Sequence, residues 1–291
     1  MTELTLLADG IAFGESTRWH DGRIWLADWA AQEILAVDLD GKREVMARTR
    51  SFGGCFDHLP DGTLVVVSGA DRALLRQAPD GTLTPYADLS TVAPGPWNDI
   101  VVDGRGNAYV NEIGFDFPGG EFAPGQVALV TTDGRARVVA DDLAFPNGMA
   151  VTPDGATLIV AESYAARLTA FTIGADGGLS DRRAWADLGE GAAPDGICID
   201  AEGAVWFAEV PGRRCVRVAE GGEVLDVLRA DRGCFCCELG GPDGRTLFVA
   251  AQAWPPPQDG SRTGQVLTAA APAPAAGRPR SEAGTPPGSR R

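Results

Sequence analysis

Four oxygen-bearing side chains recur at one place in a repeated pattern. Asn98, Asn147 and Asp195 each stand seven residues ahead of a hairpin turn, at Arg105-Gly106, Asp154-Gly155 and Glu202-Gly203. Glu15 directly follows Gly14, which holds the same position ahead of Asp21-Gly22. Glu15, Asn147 and Asp195 together offer two carboxylates and one amide oxygen, a hard ligand set with neither His nor Cys. Ca²⁺ suits it best, with Mg²⁺, Mn²⁺ or Zn²⁺ as alternatives. Without a cation the two carboxylates would repel and one would stay protonated. Three or four protein ligands leave positions open for water and substrate, as a catalytic site requires. One Asn-Gly or Asp-Gly pair alone reads as turn punctuation; the offset shared by three hairpins is what argues for a site.

Those positions need a scaffold that brings distant stretches to one axis, and the repeats supply it. An apolar β-rich run, a turn and a second such run recur at Asp21-Gly22, Asp61-Gly62, Arg105-Gly106, Asp154-Gly155, Glu202-Gly203 and Asp243-Gly244. A second set of turns lies between them, at Asp40-Gly41, Asp80-Gly81, Asp133-Gly134, Gly177-Gly178 and Gly221-Gly222. Each unit therefore holds four strands, and units of roughly 45 residues with four strands are propeller blades. Helical spacing of apolar residues is scarce. The prediction is an all-β, six-bladed propeller over residues 1–268. The last unit lacks an outer strand, which the N-terminal run Glu3–Ala8 would supply, closing the ring and removing a sheet edge. Residues 269–291 are Ala, Pro, Gly, Ser and Arg with almost no large apolar group and are expected to be disordered.

All six blade-start positions, Gly14, Gly54, Asn98, Asn147, Asp195 and Cys236, fall on one rim. In the third unit the stretch Gly114–Gly125 is longer than its counterparts and carries Phe115, Phe117, Phe122, Asp116 and Glu121, the composition of a wall or lid over a site. Trp97 and Asp99, which flank Asn98, and Asp116 in that loop are expected to line substrate. The other tryptophans, Trp29 among them, are assigned to packing between blades.

The net charge of −15 and pI near 4.5 leave no electrostatic source for binding a phosphate backbone, so nucleic acid is not an expected partner. No stretch of 18 apolar residues occurs, and the first residues lack both a basic run and an apolar core, so a cytoplasmic protein without membrane association is expected. The six cysteines are read as free thiols, with Cys234-Phe-Cys-Cys237 serving as small buried hydrophobes, since no second ligand pair at zinc-finger spacing accompanies it. No Gly-x-Ser-x-Gly elbow is present, and neither His20 nor His58 has an evident Ser partner, which argues against a serine hydrolase.

Gly14-Glu15 ahead of Trp19, Trp97-Asn98-Asp99, Phe145-Pro-Asn-Gly-Met149 with Thr152-Pro-Asp-Gly155, and Ala193-Pro-Asp-Gly196 together resemble the regucalcin (senescence marker protein)/gluconolactonase/luciferin-regenerating family over roughly residues 8–268. The resemblance implies a divalent cation held by Glu15, Asn147 and Asp195, and hydrolysis of lactones, often sugar lactones. It further implies Asn98 in contact with substrate or a cation-bound water, and Asp195 as the catalytic carboxylate. Two departures stand out: Pro96 where such members carry Arg, and Asn98-Asp99-Ile100 where they carry Asn-Asp-Gly. Two other functions remain open at this stage. One is a calcium-binding or docking propeller without turnover; the other is a hydrolase of more hydrophobic lactones or esters, toward which Phe115, Phe117, Phe122 and the absent Arg lean.

Overall fold

The computed structural model of the chain describes residues 3–93 and 95–279. The chain opens with β1 (Thr5–Ile11) and then builds five four-stranded antiparallel sheets in order. The first holds β2 (Gly14–His20), β3 (Arg23–Asp28), β4 (Glu33–Val37) and β5 (Arg43–Arg48). The second holds β6 (Phe56–His58), β7 (Leu64–Ser68), β8 (Ala73–Gln77) and β9 (Leu83–Asp88). The third holds β10 (Trp97–Val102), β11 (Ala108–Glu112), β12 (Gly125–Val130) and β13 (Ala136–Leu143). The fourth holds β14 (Pro146–Val151), β15 (Thr157–Glu162), β16 (Arg167–Ile173) and β17 (Leu179–Asp187), and the fifth β18 (Pro194–Ile199), β19 (Val205–Glu209), β20 (Arg214–Val218) and β21 (Val224–Arg229). The sixth sheet runs β22 (Gly233–Gly240), β23 (Thr246–Gln252), β24 (Gly264–Ala270) and finally β1, so the N-terminal strand closes the ring as expected. It pairs Thr5 with Thr268 and Ile11 with Gly264, three residues further along than the sequence suggested. Among the described residues no helix is long and apolar enough to cross a membrane.

The hairpins follow from local turn chemistry. Gly62, Gly106, Gly155, Gly203 and Gly244 each donate their N–H to the carbonyl three residues back and have φ between +71° and +87°, a conformation that an L side chain resists. The strands read as unbroken apolar runs because both faces are covered. In β3, Ile24 and Leu26 enter the core shared with the sixth blade, while Trp25 and Ala27 enter the core shared with the second. The period of two thus assigns neighbouring residues to different wedges, and six inter-blade clusters form the core.

The expectation of disorder from residue 269 is corrected for 269–279; residues 280–291 lie outside the described residues. β24 continues to Ala270, and the chain then crosses the end of the channel remote from the rim. Ala201 N–H donates to Pro274 O, Ala276 N–H to Ile199 O, and Arg278 donates to His58 O at 3.0 Å and to Asp57 at 3.3 Å. Ala271 and Ala273 are buried. The composition that suggested disorder is what permits this course, because methyl-sized side chains fit where blades converge. Burial works against ionisation of Asp57, but Arg278 and Arg18 outweigh it and hold this carboxyl below its usual range. Arg278→Ala should therefore cost about 1 kcal/mol in urea unfolding at neutral pH, since the guanidinium is half exposed. A group with a lowered pKa loses its contribution as pH falls through the folded value, so the cost should vanish in acid.

Candidate metal centre

The inner strands β2, β6, β10, β14, β18 and β22 all begin at the same end of the ring, and three of them break register at one point. The ladder of β10 slips between Trp97 and Ile100, that of β14 between Pro146 and Met149, and that of β18 between Pro194 and Ile197. Asn98, Asn147 and Asp195 occupy those bulges, which turn a side chain out of the regular alternation. In β2 the slip comes two places later, between Glu15 and Arg18. Glu15, the last residue paired before that slip, is what blade one presents instead of a residue at the Gly14 position. Ser16 beside Glu15 and Phe145 ahead of Asn147 have φ of +54° and +57°, a costly backbone region for non-glycine residues and one that recurs at functional sites.

Side chains at the ends of four of the second strands, β3, β15, β19 and β23, pin the segments that lead inward. The Asp28 carboxylate accepts from Ala12 and Phe13 N–H, Glu162 from Ala144 N–H, Glu209 from Ala193 N–H, and Gln252 from Gly14 N–H. Lower in the channel, carboxylates join inner strands that cannot share a ladder. Asp57 accepts from Val102 N–H, Asp99 from Met149 N–H at 3.0 Å, and Arg18 lies 3.5–3.6 Å from both carboxylates.

Glu15, Asn98, Asp99 and Asn147 line a rim cavity of about 10 Å³ together with Trp29, Gly196 and Cys236, room for one ion or one water. Asn98 donates its amide N–H to Asn147 Oδ1 at 3.2 Å and to Pro146 O at 3.3 Å. Asn147 donates to Ser163 Oγ at 3.3 Å and hydrogen-bonds the Asp195 carboxylate; Ser163 in turn donates to Pro194 O at 2.7 Å. This chain fixes the orientation of Asn147 across blades four and five. Glu15 accepts from Ser16 N–H at 3.1 Å and from the Cys236 thiol.

Burial pushes the Glu15 carboxyl up to about 8, with the Asp99 charge adding to the effect. Burial first, then the Glu15 and Asp99 charges, push Asp195 well above its usual range. Among the described residues neither carboxylate has an ion-pair partner, and no three His, Cys, Asp or Glu side chains form a metal-holding group. A cation here would accordingly rest on two carboxylates completed by the Asn147 amide oxygen. Two buried acids without an ion-pair partner, beside an amide oxygen and an ion-sized cavity whose one arginine, Arg18, is engaged by Asp57 and Asp99, fit a divalent cation. The nearby Cys236 thiol adds a softer atom that the sequence reading left out of this set, although Cys236 shares its seven-residue offset.

The other expected contacts separate. Asn98 and Asp99 reach the cavity, whereas Trp97 is 5% exposed inside the core between blades two and three. Asp116 is exposed on the 114–125 loop, its carbonyl accepting from Gly120 N–H. Trp29, assigned to packing, lines the cavity instead, and its solvent-shielded indole N–H has no protein acceptor. Asp28, immediately before it, is the residue that accepts from Phe13 N–H, so Trp29 is carried at the rim by the same contact that fixes the start of β2.

Residues 13–253 match the family model described as SMP-30/Gluconolactonase/LRE-like region. A 6-deoxy-6-sulfogluconolactonase of Pseudomonas putida is 32% identical over 130 residues, which are 44% of this chain and 45% of that protein. A pentonolactonase of Haloferax volcanii is 24% identical over 86% of this chain and 84% of its own length. Among solved structures, a calcium-binding protein, regucalcin, of Agrobacterium tumefaciens superposes with a TM-score of 0.76 at 22% identity, covering 94% of this chain and 95% of that one, a likeness of fold.

A carboxyl with a raised pKa favours the fold most at low pH and loses that contribution as pH rises toward the folded value. In cation-free protein, Glu15→Gln should therefore unfold at a higher temperature than the parent at pH 8, by roughly 2–6 °C. The gap should close near pH 5, as followed by circular dichroism.

Proposed function

This chain belongs to the SMP-30/gluconolactonase/LRE-like family, and on that premise we propose that it hydrolyses a small lactone at the rim. Glu15, Asn147 and Asp195 would hold one divalent cation, Ca²⁺ before Zn²⁺, Mn²⁺ or Mg²⁺. The observation that carries the reading is the pair of buried carboxylates with no ionic partner among the described residues. When bound, the cation supplies positive charge that polarises the lactone carbonyl and steadies the oxyanion formed there.

Asp195 takes a proton from water as the water oxygen bonds to the carbonyl carbon. The ring C–O bond then breaks, and its oxygen leaves as a hydroxyl on receiving the proton held by Asp195. The product is a hydroxy acid, which ionises and releases one proton to solvent. Asn98 spends its N–H on Asn147 and Pro146, leaving its carbonyl oxygen to accept the second hydrogen of the attacking water. The Trp29 N–H, free of any protein acceptor, donates to a lactone oxygen. Asp99 is engaged by Met149 N–H and Arg18 and acts by holding the inner strands in place. Asp116 would meet substrate only at the outer edge of the mouth. The likeness to a 6-deoxy-6-sulfogluconolactonase and a pentonolactonase supports including sugar lactones among the first substrates tested.

Proton release from a lactone panel, followed by pH-stat with each cation, tests the reading. Asp195→Asn should lower kcat by about 10²–10⁴-fold with an unchanged circular dichroism spectrum, and a chelator should abolish parent turnover. Activity that survives the chelator, or near-parent activity in the variant, would contradict these roles. Cation binding with no turnover of any lactone would favour a binding platform.

A further inference from the structure

Seven of the eleven phenylalanines lie at the rim end of the ring, whereas a polar mouth would need none. They form two walls. On blades six, one and two, Phe13 stacks on Trp29 at 5.6 Å and meets Phe235 edge-on at 5.1 Å; Phe235 meets Trp254 at 5.8 Å, and Trp29 meets Phe52 at 5.2 Å. On blades three and four, Phe145 contacts Tyr164 at 4.9 Å and Phe117 at 5.0 Å, and Phe115 contacts Phe122 at 5.6 Å. The two walls stand half a ring apart. Each is tied to the cavity through its inner strand: Phe13 precedes Glu15 by two residues, Phe145 precedes Asn147 by two, and Phe235 adjoins Cys236.

The outer rings are not spent on packing. Phe52, Phe117, Phe122, Tyr164 and Trp254 are 42–57% exposed, and a concentration of exposed large aromatics at one mouth marks a binding surface. Behind Trp254 the first wall opens into a cavity of about 340 Å³ between blades five and six, where Arg232 is already held by Asp231 and Thr263 O and the exposed Arg213 is the one lining arginine outside those contacts. Free polar partners are scarce by contrast. Asn98, Asn147 and Ser163 satisfy one another, Arg167 and Arg214, which open two of the third strands, pair with Glu162 and Glu209, and Arg48 at the end of β5 pairs with Glu33. Several hydroxyls pressed between these rings would lose water without gaining protein partners, which is costly.

Resting on the lactonase reading above, we infer that the preferred substrate is a lactone carrying an apolar substituent, alkyl or aryl, gripped between the two aromatic walls, and not a polyhydroxylated sugar lactone. The reacting ring would sit over the cavity while the substituent displaces water from the exposed rings.

δ-Valerolactone, δ-decalactone and D-glucono-1,5-lactone share a six-membered ring and differ in its substituents. With the cation-loaded parent, kcat/KM for δ-decalactone should exceed that for each of the others by about 10-fold or more. Phe117→Ser with Phe122→Ser, and separately Trp254→Ser, should compress the ratio of δ-decalactone to δ-valerolactone by about 10-fold, mainly through KM. These rings are exposed, so the fold should tolerate their loss. A preference for D-glucono-1,5-lactone, or a ratio unmoved by all three substitutions, would overturn the apolar mouth while lactone hydrolysis stands. Hydrolysis of none of the three would overturn both readings.

Discussion

Everything at the rim depends on two carboxylates, Glu15 and Asp195, being held together away from water without an ion-pair partner among the described residues. Burial makes the charged form of each unfavourable, the Glu15 charge makes it worse for Asp195, and the Asp99 charge adds to both. A ring of six sheets can impose this because every inner strand is covered on both faces by apolar wedges, which leaves the strand ends no freedom to relax apart. The arrangement is destabilising by itself, and a divalent cation is the group that would make it favourable.

The two ends of the channel resolve buried charge in opposite ways. At the remote end Asp57 is met by Arg18 and by Arg278 of the C-terminal segment, while Arg18 also reaches up to Asp99 beside the rim cavity. The carboxyl of Glu238, which lines the same end, is raised to about 7 by burial against the pull of Arg18 and Arg278. At the rim Arg18 lines the cavity but forms its ion pairs with Asp57 and Asp99, so neither Glu15 nor Asp195 has an ion-pair partner among the described residues, and the surrounding surface is aromatic. Charge that is already paired holds strands in place, whereas unpaired charge in a small cavity can do chemistry. The same fold thus separates a structural pole from a reactive one along a single axis.

The blade count and ring closure were legible because they rest on local turn chemistry: a glycine at positive φ after an acidic or polar residue is written directly in the chain. Asn98, Asn147 and Asp195 were legible for a related reason, as a constant offset from those turns survives folding. Glu15 sits one place off that offset and stood out only by residue type, since the shifted bulge in β2 is invisible before pairing is known. The same blindness to register explains Trp97 and Trp29. Trp97 lies just ahead of a bulge and points into the core, while Trp29 follows the strand end fixed by Asp28 and reaches the cavity. The segment 269–279 misled by composition, because alanine and proline suggest disorder on an open surface yet fit well across a narrow channel mouth.

Titrating Ca²⁺ into chelator-stripped protein near pH 6.5 by calorimetry, in buffers of differing ionisation enthalpy, addresses the central claim most directly because it counts protons as well as cations. The account predicts one cation bound per chain with release of about one proton, and loss of both signals in Glu15→Gln. Binding with no proton released, or binding that Glu15→Gln leaves unaltered, would show that the buried pair is not what the cation meets.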